Sequence, residues 1–406
     1  MKKTVITLVA AAAIAVQTTP LTFAQNAQTA NSPIKISVNG HFIDLADEPA
    51  VRDGRVFIPV REMMTVPAIN TGNLKIAWNK TDQTVTIENG GTTVSLQVGS
   101  RTAEVEGKSV TLPAAPYYSL SNQRVYVPAS FLESVFGKQV AWNTGDKTVE
   151  ITTSNADKVV AVLKSFETGD TTALEMYINP ETYIQHNLAF PSGRETIINA
   201  VAQLKGAGVQ YDIKRVFTDG DYVVVHSEVT FGDSPAAVFD VFRIENGLIV
   251  EHWDNFQVMP EESVNGRTLV DGATEVTDLD KTEENKALIK EFFDNVFFGQ
   301  NPDLLPTYFD GDNYIQHNPL VADGVSSLME AFAALAEQGV TITYEKVHYI
   351  HGQGNFVLVM SEVNFDGQPT AVYDMYRIEN GKIAEHWDIV EPILPEDQRA
   401  NSNGKF

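Results

Sequence analysis

The strongest constraint on this chain is a stretch that occurs twice, running from Ala237 to Asp254 and again from Ala371 to Asp388. Each copy is two runs of alternating apolar and polar residues joined at Glu-Asn-Gly, the pattern of a β-hairpin. Two registers are open to it. A two-residue Asn-Gly turn sets Asp240 opposite Trp253, whereas a three-residue Glu-Asn-Gly loop closed by a left-handed glycine sets Asp240 opposite His252. The second sorts the side chains better and is the expected one. One face then carries Val238, Asp240, Phe242, Ile244, Leu248, Val250, His252 and Asp254. The other carries Phe239, Val241, Arg243, Ile249, Glu251 and Trp253, with Arg243 beside Glu251. Two carboxylates and an imidazole on an apolar face form either a buried polar network or the floor of a pocket.

At the N-terminus, Met1-Lys2-Lys3 precedes an apolar run from Val5 to Val16, and Thr22 and Ala24 stand at cleavage-compatible positions. Residues 1–24 read as a secretory signal peptide, too short in its apolar part to span a bilayer. A secreted or cell-envelope-associated protein is expected. The chain has no cysteine, which excludes disulfide scaffolds, thiolate metal sites, cysteine nucleophiles and lipoprotein anchoring. Its net charge of −24 becomes more negative when Lys2 and Lys3 are removed. Such a charge repels phosphate backbones and anionic lipid, so no nucleic-acid partner and no membrane insertion are expected.

Residues 25–33 are a polar tether, and residues 34–153 read as short strands with Gly/Asn/Asp turns. An internal repeat runs through them: Arg55-Val-Phe-Ile-Pro59 returns as Arg124-Val-Tyr-Val-Pro128, and Lys75-Ile-Ala-Trp-Asn79 as Gln139-Val-Ala-Trp-Asn143. Short helices are expected over Pro59–Met64 and Pro128–Phe136. From residue 157 the pattern changes to helices over Asp157–Thr168 and Thr171–Tyr177, then a third opened by a Ser192–Glu195 capping box. Strands follow over Gln210–Phe217, Tyr222–Phe231, Ala236–Ile244 and Leu248–Val258. Residues 263–282 read as a linker. The pattern restarts with helices over Glu283–Phe298, Asp303–Phe309 and Val325–Gln338. Its strands are Thr341–Ile350, Phe356–Phe365, Thr370–Ile378 and Lys382–Val390, and the tail after Pro395 reads as disordered. Helices followed by a four-strand meander predict an α+β fold in each repeat, 157–262 and 283–395.

Residues 34–153 resemble the copper amine oxidase N-terminal-like stalk domain, through the Arg-Val-x-x-Pro and Ala-Trp-Asn signatures. The resemblance implies a β-rich structural or wall-associated module and no copper site, because His41 is the only histidine there. Both repeats resemble the SnoaL-like polyketide cyclase family, within the nuclear transport factor 2 and ketosteroid isomerase superfamily. The carriers are Tyr183-Ile-Gln-His-Asn187 with Tyr314-Ile-Gln-His-Asn318, the Arg-Ile-Glu-Asn-Gly hairpins, and Glu251-His-Trp-Asp254 with Glu385-His-Trp-Asp388. That resemblance implies cone-shaped α+β barrels, a curved antiparallel sheet wrapped on helices, usually dimeric. Members include aldol-type cyclases, isomerases, dehydratases and epoxide hydrolases. With two copies on one chain, an intramolecular pseudo-dimer is expected.

The candidate catalytic residues are Asp240, His252, His226, His186 and Asp254 in the first repeat, and Asp374, His386 and His317 in the second. Candidate ligand contacts are Asn187, Tyr183, Phe242 and Trp253, then Asn318, Tyr314 and Tyr376. By resemblance, Asp240 matches the strand position at which ketosteroid isomerases place an oxyanion-hole acid. A carboxyl group held neutral in an apolar site can donate to a developing enolate, and an imidazole can remove or return a proton. Alternation within Tyr222–Glu228 aims His226 from the neighbouring strand, and His226 is expected in one cavity with Asp240 and His252. His226 is replaced by Met360 in the second repeat, whose own His348 and His351 lie near a loop. His186, His226, His252 and Asp240 are suitable metal ligands, but they are scattered over strands and no metal is expected. No cofactor motif is present. Two functions fit: cofactor-free acid/base chemistry on a small carbonyl compound, or non-catalytic binding of a small ligand or envelope component.

Overall fold

The computed structural model describes residues 33–406 apart from residues 73 and 205, so the expected signal peptide lies outside the described residues. Among the described residues no helix is long and apolar enough to cross a membrane. The architecture is α+β, with a β-rich N-terminal part followed by two repeats of helices on a curved sheet.

In the N-terminal part the internal repeat pairs with itself. Strands Arg55–Pro59 and Arg124–Pro128 run antiparallel with Val127 opposite Ile58, and each proline closes its strand just before a short helix. Each Ala-Trp-Asn segment pairs with the strand after it, Trp78 opposite Val85 and Trp142 opposite Val149. This part also touches the first repeat. Ala68 joins the first repeat's core, the Tyr177 hydroxyl donates to the Pro67 carbonyl at 3.0 Å, and Lys138 pairs with Asp157 at 2.6 Å.

The first repeat opens with helix Asn155–Thr168, whose capping box is Ser154 with Asp157. The box expected at Ser192 does not form. Ser192 Oγ instead accepts the Gln185 N–H at 3.2 Å, and the helix starts at Arg194. The sheet has five strands, in the order Ile184–Gln185, Leu248–Val258, Ser234–Glu245, Tyr222–Phe231 and Gln210–Asp219. The strand that the meander reading missed is the short one in the Tyr-Ile-Gln-His-Asn motif, which runs parallel to Leu248–Val258. The second repeat has the same order, from Ile315–Gln316 to Ile342–Gln353. Its first helix, Thr282–Phe292, loosens into a π turn over Phe293–Phe298, and Pro302–Tyr308 is a 3-10 helix.

The hairpin register differs from both readings. Asn246 and Gly247 have positive φ angles of 51° and 81° and form a two-residue turn with Glu245 opposite Leu248. An extra residue on the return strand then shifts the pairing, so that Ile244 faces Ile249 but Arg243 faces Glu251. The bulge sets Asp240 opposite Asp254 and Phe242 opposite His252, not Asp240 opposite His252. It also moves Ile249 to the helix side, where it packs with Ile244. Arg243 Nε donates to Glu251 Oε2 at 2.7 Å, as the pattern expects.

The helices cover one face of each sheet. The opposite faces meet: Phe239, Val241 and Trp253 pack in one cluster with Tyr373, Met375 and Trp387. Asn255 Nδ2 crosses that interface to the carbonyls of Ala371 and Ile389, at 3.1 and 2.6 Å. Residues 263–273, within the expected linker, have no helix or strand and lie against the second repeat, whereas the tail after Pro395, expected to be disordered, is ordered against the first. Both are held by side-chain-to-backbone hydrogen bonds, which leave no periodic signal in a sequence. Arg215, buried at 1% exposure, donates to the carbonyls of Val270, Asp271 and Ala273 and lies 4.2 Å over the Trp387 ring. Arg215→Met removes the donor from three backbone carbonyls, that of Val270 fully buried. It should lower stability by about 3 kcal/mol, read as the shift of a urea unfolding midpoint.

Candidate functional site

The site grows out of the bulged hairpin and the short parallel strand beside it. His252 sits on the helix side of the sheet, with Phe242 stacked on its ring at a centroid distance of 4.3 Å. Its Nε2 lies 2.9 Å from Asp240 Oδ1, and its Nδ1 lies 3.1 Å from Gln185 Oε1. The same Gln185 oxygen accepts the Asn187 backbone N–H at 2.8 Å. A backbone N–H can only donate, so the Gln185 atom is an acceptor and His252 Nδ1 must carry a hydrogen. One further proton is then shared between His252 Nε2 and Asp240. The pair is a carboxylate with an imidazolium or a carboxylic acid with a neutral imidazole.

Asp254 completes the set. Its Oδ2 accepts from Asn187 Nδ2 at 2.7 Å, and Tyr183 is buried in the adjoining core. Burial pushes the Asp240 carboxyl above its ordinary value of 3.8; the His252 bond and charge oppose this, and Asp254 adds to it. Burial also holds the Tyr183 hydroxyl far above its usual range, so Tyr183 stays neutral. Asp240 Oδ2 and Asp254 Oδ1 are buried without a hydrogen-bond partner.

Oxygen and nitrogen atoms of Asp240, His252 and Asp254 all come within 4.8 Å of one another, a spacing that a cation could bridge. Both His252 nitrogens are already bonded, to Asp240 and Gln185, so ligation would require the imidazole to leave one of them. The arrangement is better suited to holding and moving a proton.

The second repeat reproduces the set with one change. His386 contacts Asp374 Oδ1 and Gln316 Oε1, each at 3.0 Å, and Asn318 Nδ2 donates to Asp388 Oδ2 at 2.7 Å. Tyr376 packs on the His386 ring, and the Tyr314 hydroxyl accepts from Gln316 Nε2 at 3.0 Å. Here the Tyr344 hydroxyl donates to Asp374 Oδ2 at 3.3 Å, supplying the partner that Asp240 Oδ2 lacks. Burial raises the Asp388 carboxyl, partly offset by the His386 charge.

Four expected members lie on the other face. His226 pairs across the strands with Phe239, not Asp240; Val225 is the residue opposite Asp240. His226 stacks on Phe239 and contacts Arg215 at 3.1 Å in the sheet-to-sheet interface, where burial and the Arg215 charge hold its pKa well down. Trp253 is in that interface as well. His186 stacks on Trp253 and bridges Glu251 and the Gly404 carbonyl; His317 stacks on Trp387 and bridges Glu385 and the Thr268 carbonyl. Side chains alternate faces at every residue along a strand, so Trp253, one step from His252 and Asp254, and the residues packed around it lie on the far side of the sheet. Gln185 and Tyr344 were not singled out from the sequence, although Gln185 lies within the repeated motif that carries His186.

The family comparisons fit this geometry. Residues 159–252 and 289–386 each match the SnoaL-like domain. The chain carries two SnoaL-like domains. Residues 37–151 match the copper amine oxidase N-terminal domain. Among curated proteins none matches the chain. Among solved structures it is similar to TsrD from Streptomyces laurentii, at 20% identity and a TM-score of 0.22, covering 26% of this chain and 91% of that one. An NTF2-like protein of unknown function from Cytophaga hutchinsonii is similar at 16% identity and a TM-score of 0.23, covering 26% and 90%. An LEH-like epoxide hydrolase from M. tuberculosis is similar at 19% identity and a TM-score of 0.23, covering 25% and 81%.

A cavity of about 880 Å³ lies between the N-terminal part and helix Asn155–Thr168, lined in part by Asn70, Glu88, Lys164 and Glu167. Neither it nor three smaller cavities is lined by Asp240 or His252, whose surroundings are packed side chains. Helix Arg194–Leu204, which lies on the same side of the sheet, buries only Ile197 and Val201.

The raised Asp240 carboxyl has a pH consequence. Between 3.8 and the raised value the folded chain keeps a proton that the unfolded chain has released. The stabilisation is therefore complete below 3.8 and is lost as pH rises through the folded value. Thermal melts of the parent chain and Asp240→Asn, taken from acid to neutral pH, should show the parent losing ground to the variant across that window.

Proposed function

We propose that the first SnoaL-like domain binds a small carbonyl compound over Asp240, His252 and Asp254 and moves a proton on it without a cofactor, in isomerase- or cyclase-type chemistry. The observation that carries this reading is the buried, unpartnered Asp240 Oδ2, set against its counterpart Asp374 Oδ2, which Tyr344 occupies. An orphaned buried oxygen costs about 1–3 kcal/mol, a cost that a ligand donor at that point would offset. In the ion-pair form of the dyad, Oδ2 is a carboxylate oxygen that can take a proton from the carbon next to a carbonyl. Once it has taken that proton the dyad is a carboxylic acid beside an imidazolium, and the acid can return the proton elsewhere on the enolate, restoring the ion pair. The second domain, with its acid capped internally, serves as scaffold.

The packed sheets support a further part of the reading. The packing of Phe239, Val241 and Trp253 with Tyr373, Met375 and Trp387 supports an intramolecular pseudo-dimer in place of a homodimer. The purified chain should scatter light as a monomer; a stable dimer would count against this pairing. The Lys2-Lys3 start with the apolar run behind it supports export, and the N-terminal domain supports association with the cell wall.

A second reading has its own observation, since no described cavity is lined by the dyad. In that reading the domain is a non-catalytic binder or envelope component and the dyad is structural. Asp240→Asn separates the two. If the dyad acts on a ligand, the variant should lose binding or turnover with its melting temperature nearly unchanged, because the amide keeps the shape. If the dyad is structural, the variant should lose about 1–3 kcal/mol of stability with no binding defect.

A further inference from the structure

Two segments that look like filler in the sequence make the same set of contacts, each on the domain it does not come from. After strand Leu248–Val258 the chain leaves the first domain and lies on the second. The Val264 N–H donates to the Pro319 carbonyl at 2.9 Å, and Asn265 Nδ2 to the carbonyls of Asn318 and Val321 at 2.8 and 2.9 Å. The Thr268 carbonyl meets His317 Nδ1 at 3.0 Å. After strand Lys382–Pro392 the chain leaves the second domain and lies on the first. The Ala400 N–H donates to the Leu188 carbonyl at 2.7 Å, and Asn401 Nδ2 to the carbonyls of Asn187 and Phe190 at 2.8 and 2.9 Å. The Gly404 carbonyl meets His186 Nδ1 at 2.9 Å.

The donors fall at matching positions of the two segments and the acceptors at matching positions of the two domains. Each arm therefore closes the partner domain's Tyr-Ile-Gln-His-Asn loop. The exchange explains why His186 and His317 are turned away from the acid set: each is an anchor for an incoming arm.

The arms diverge one residue later. Where the first arm carries Leu269, buried in the sheet-to-sheet cluster, the second carries Lys405. Lys405 is buried, with its Nζ 2.7 Å from Glu391 Oε2 and 3.9 Å from Asp254 Oδ1, one of the two unpartnered oxygens of the acid set. The only charged side chain of that arm thus stops at the edge of the first domain's site, and the second domain receives an apolar residue instead.

We propose that residues 400–405 are an exchanged arm that shuts the first domain, with Lys405 a positioning residue for Asp254, so that the acid set is complete only when the second domain's arm is seated. This rests on the reading of that set as the ligand site. Asn403 Nδ2 adds a bond to the Gln185 carbonyl at 2.9 Å, so in the full-length chain Asn401→Ala with Asn403→Ala should speed backbone hydrogen exchange at residues 185–190 at least about tenfold and leave 316–321 unchanged. Asn265→Ala should do the reverse. In carboxyl-labelled protein, Lys405→Met should move the Asp254 side-chain carbon resonance and leave Asp388 in place, and Lys405→Arg should restore it. Unchanged exchange at 185–190, loosening of both loops by either variant, or an Asp254 resonance indifferent to Lys405→Met would overturn the proposal. A seated arm with no ligand response at Asp240 would leave the arm standing and remove the ligand reading.

Discussion

A five-stranded sheet has two faces, and the helices of one SnoaL-like domain cover only one of them. The uncovered face carries Phe239, Val241 and Trp253, residues too apolar to remain in water, and full burial of each such side chain contributes about 1.5–3 kcal/mol. The second sheet supplies the cover with Tyr373, Met375 and Trp387. Most other features follow from this contact. Arg215 and Asn255 satisfy backbone carbonyls that the interface buries, and His226 packs among its aromatic rings. The arms cross from one domain to the other because the sheets hold the two loops within reach.

The helix-side face is built alike in the two domains except at one hydrogen bond. In both, a glutamine fixes which histidine nitrogen bears a hydrogen, and the histidine shares a proton with an aspartate. A tyrosine hydroxyl then fills the free Asp374 oxygen in the second domain, while the first leaves the matching Asp240 oxygen without a partner. Leaving Asp240 unsatisfied costs stability, and such cost tends to persist where function requires it.

The fold class and the doubled helix-and-sheet pattern were legible because apolar alternation and turn residues state them directly. The side-by-side placement of Asp240, Phe242, His252 and Asp254 was legible too, since alternation survives the bulge beyond Glu251. The register was not, because an inserted residue in the return strand looks like any other valine or isoleucine. The error at His226 is more instructive. Alternation gives the two faces of strand Tyr222–Phe231 but not which of them matches Asp240; the turn between Phe231 and Ser234 decides that. A two-residue Gly232-Asp233 turn places Val225 beside Asp240, and reading that turn first would have turned His226 outward. The arms were invisible for a separate reason, since their bonds run from asparagine side chains to distant carbonyls.

The central claim is that the first domain's acid set meets a ligand and the second domain's does not. It is tested most directly by recording the side-chain carboxyl carbon resonances of Asp240, Asp254, Asp374 and Asp388 while small dicarbonyl compounds are titrated into the intact chain. The account predicts saturable shifts at Asp240 and Asp254, with Asp374 and Asp388 unmoved. Shifts at the second pair alone, or no response at either pair across the series, would contradict it.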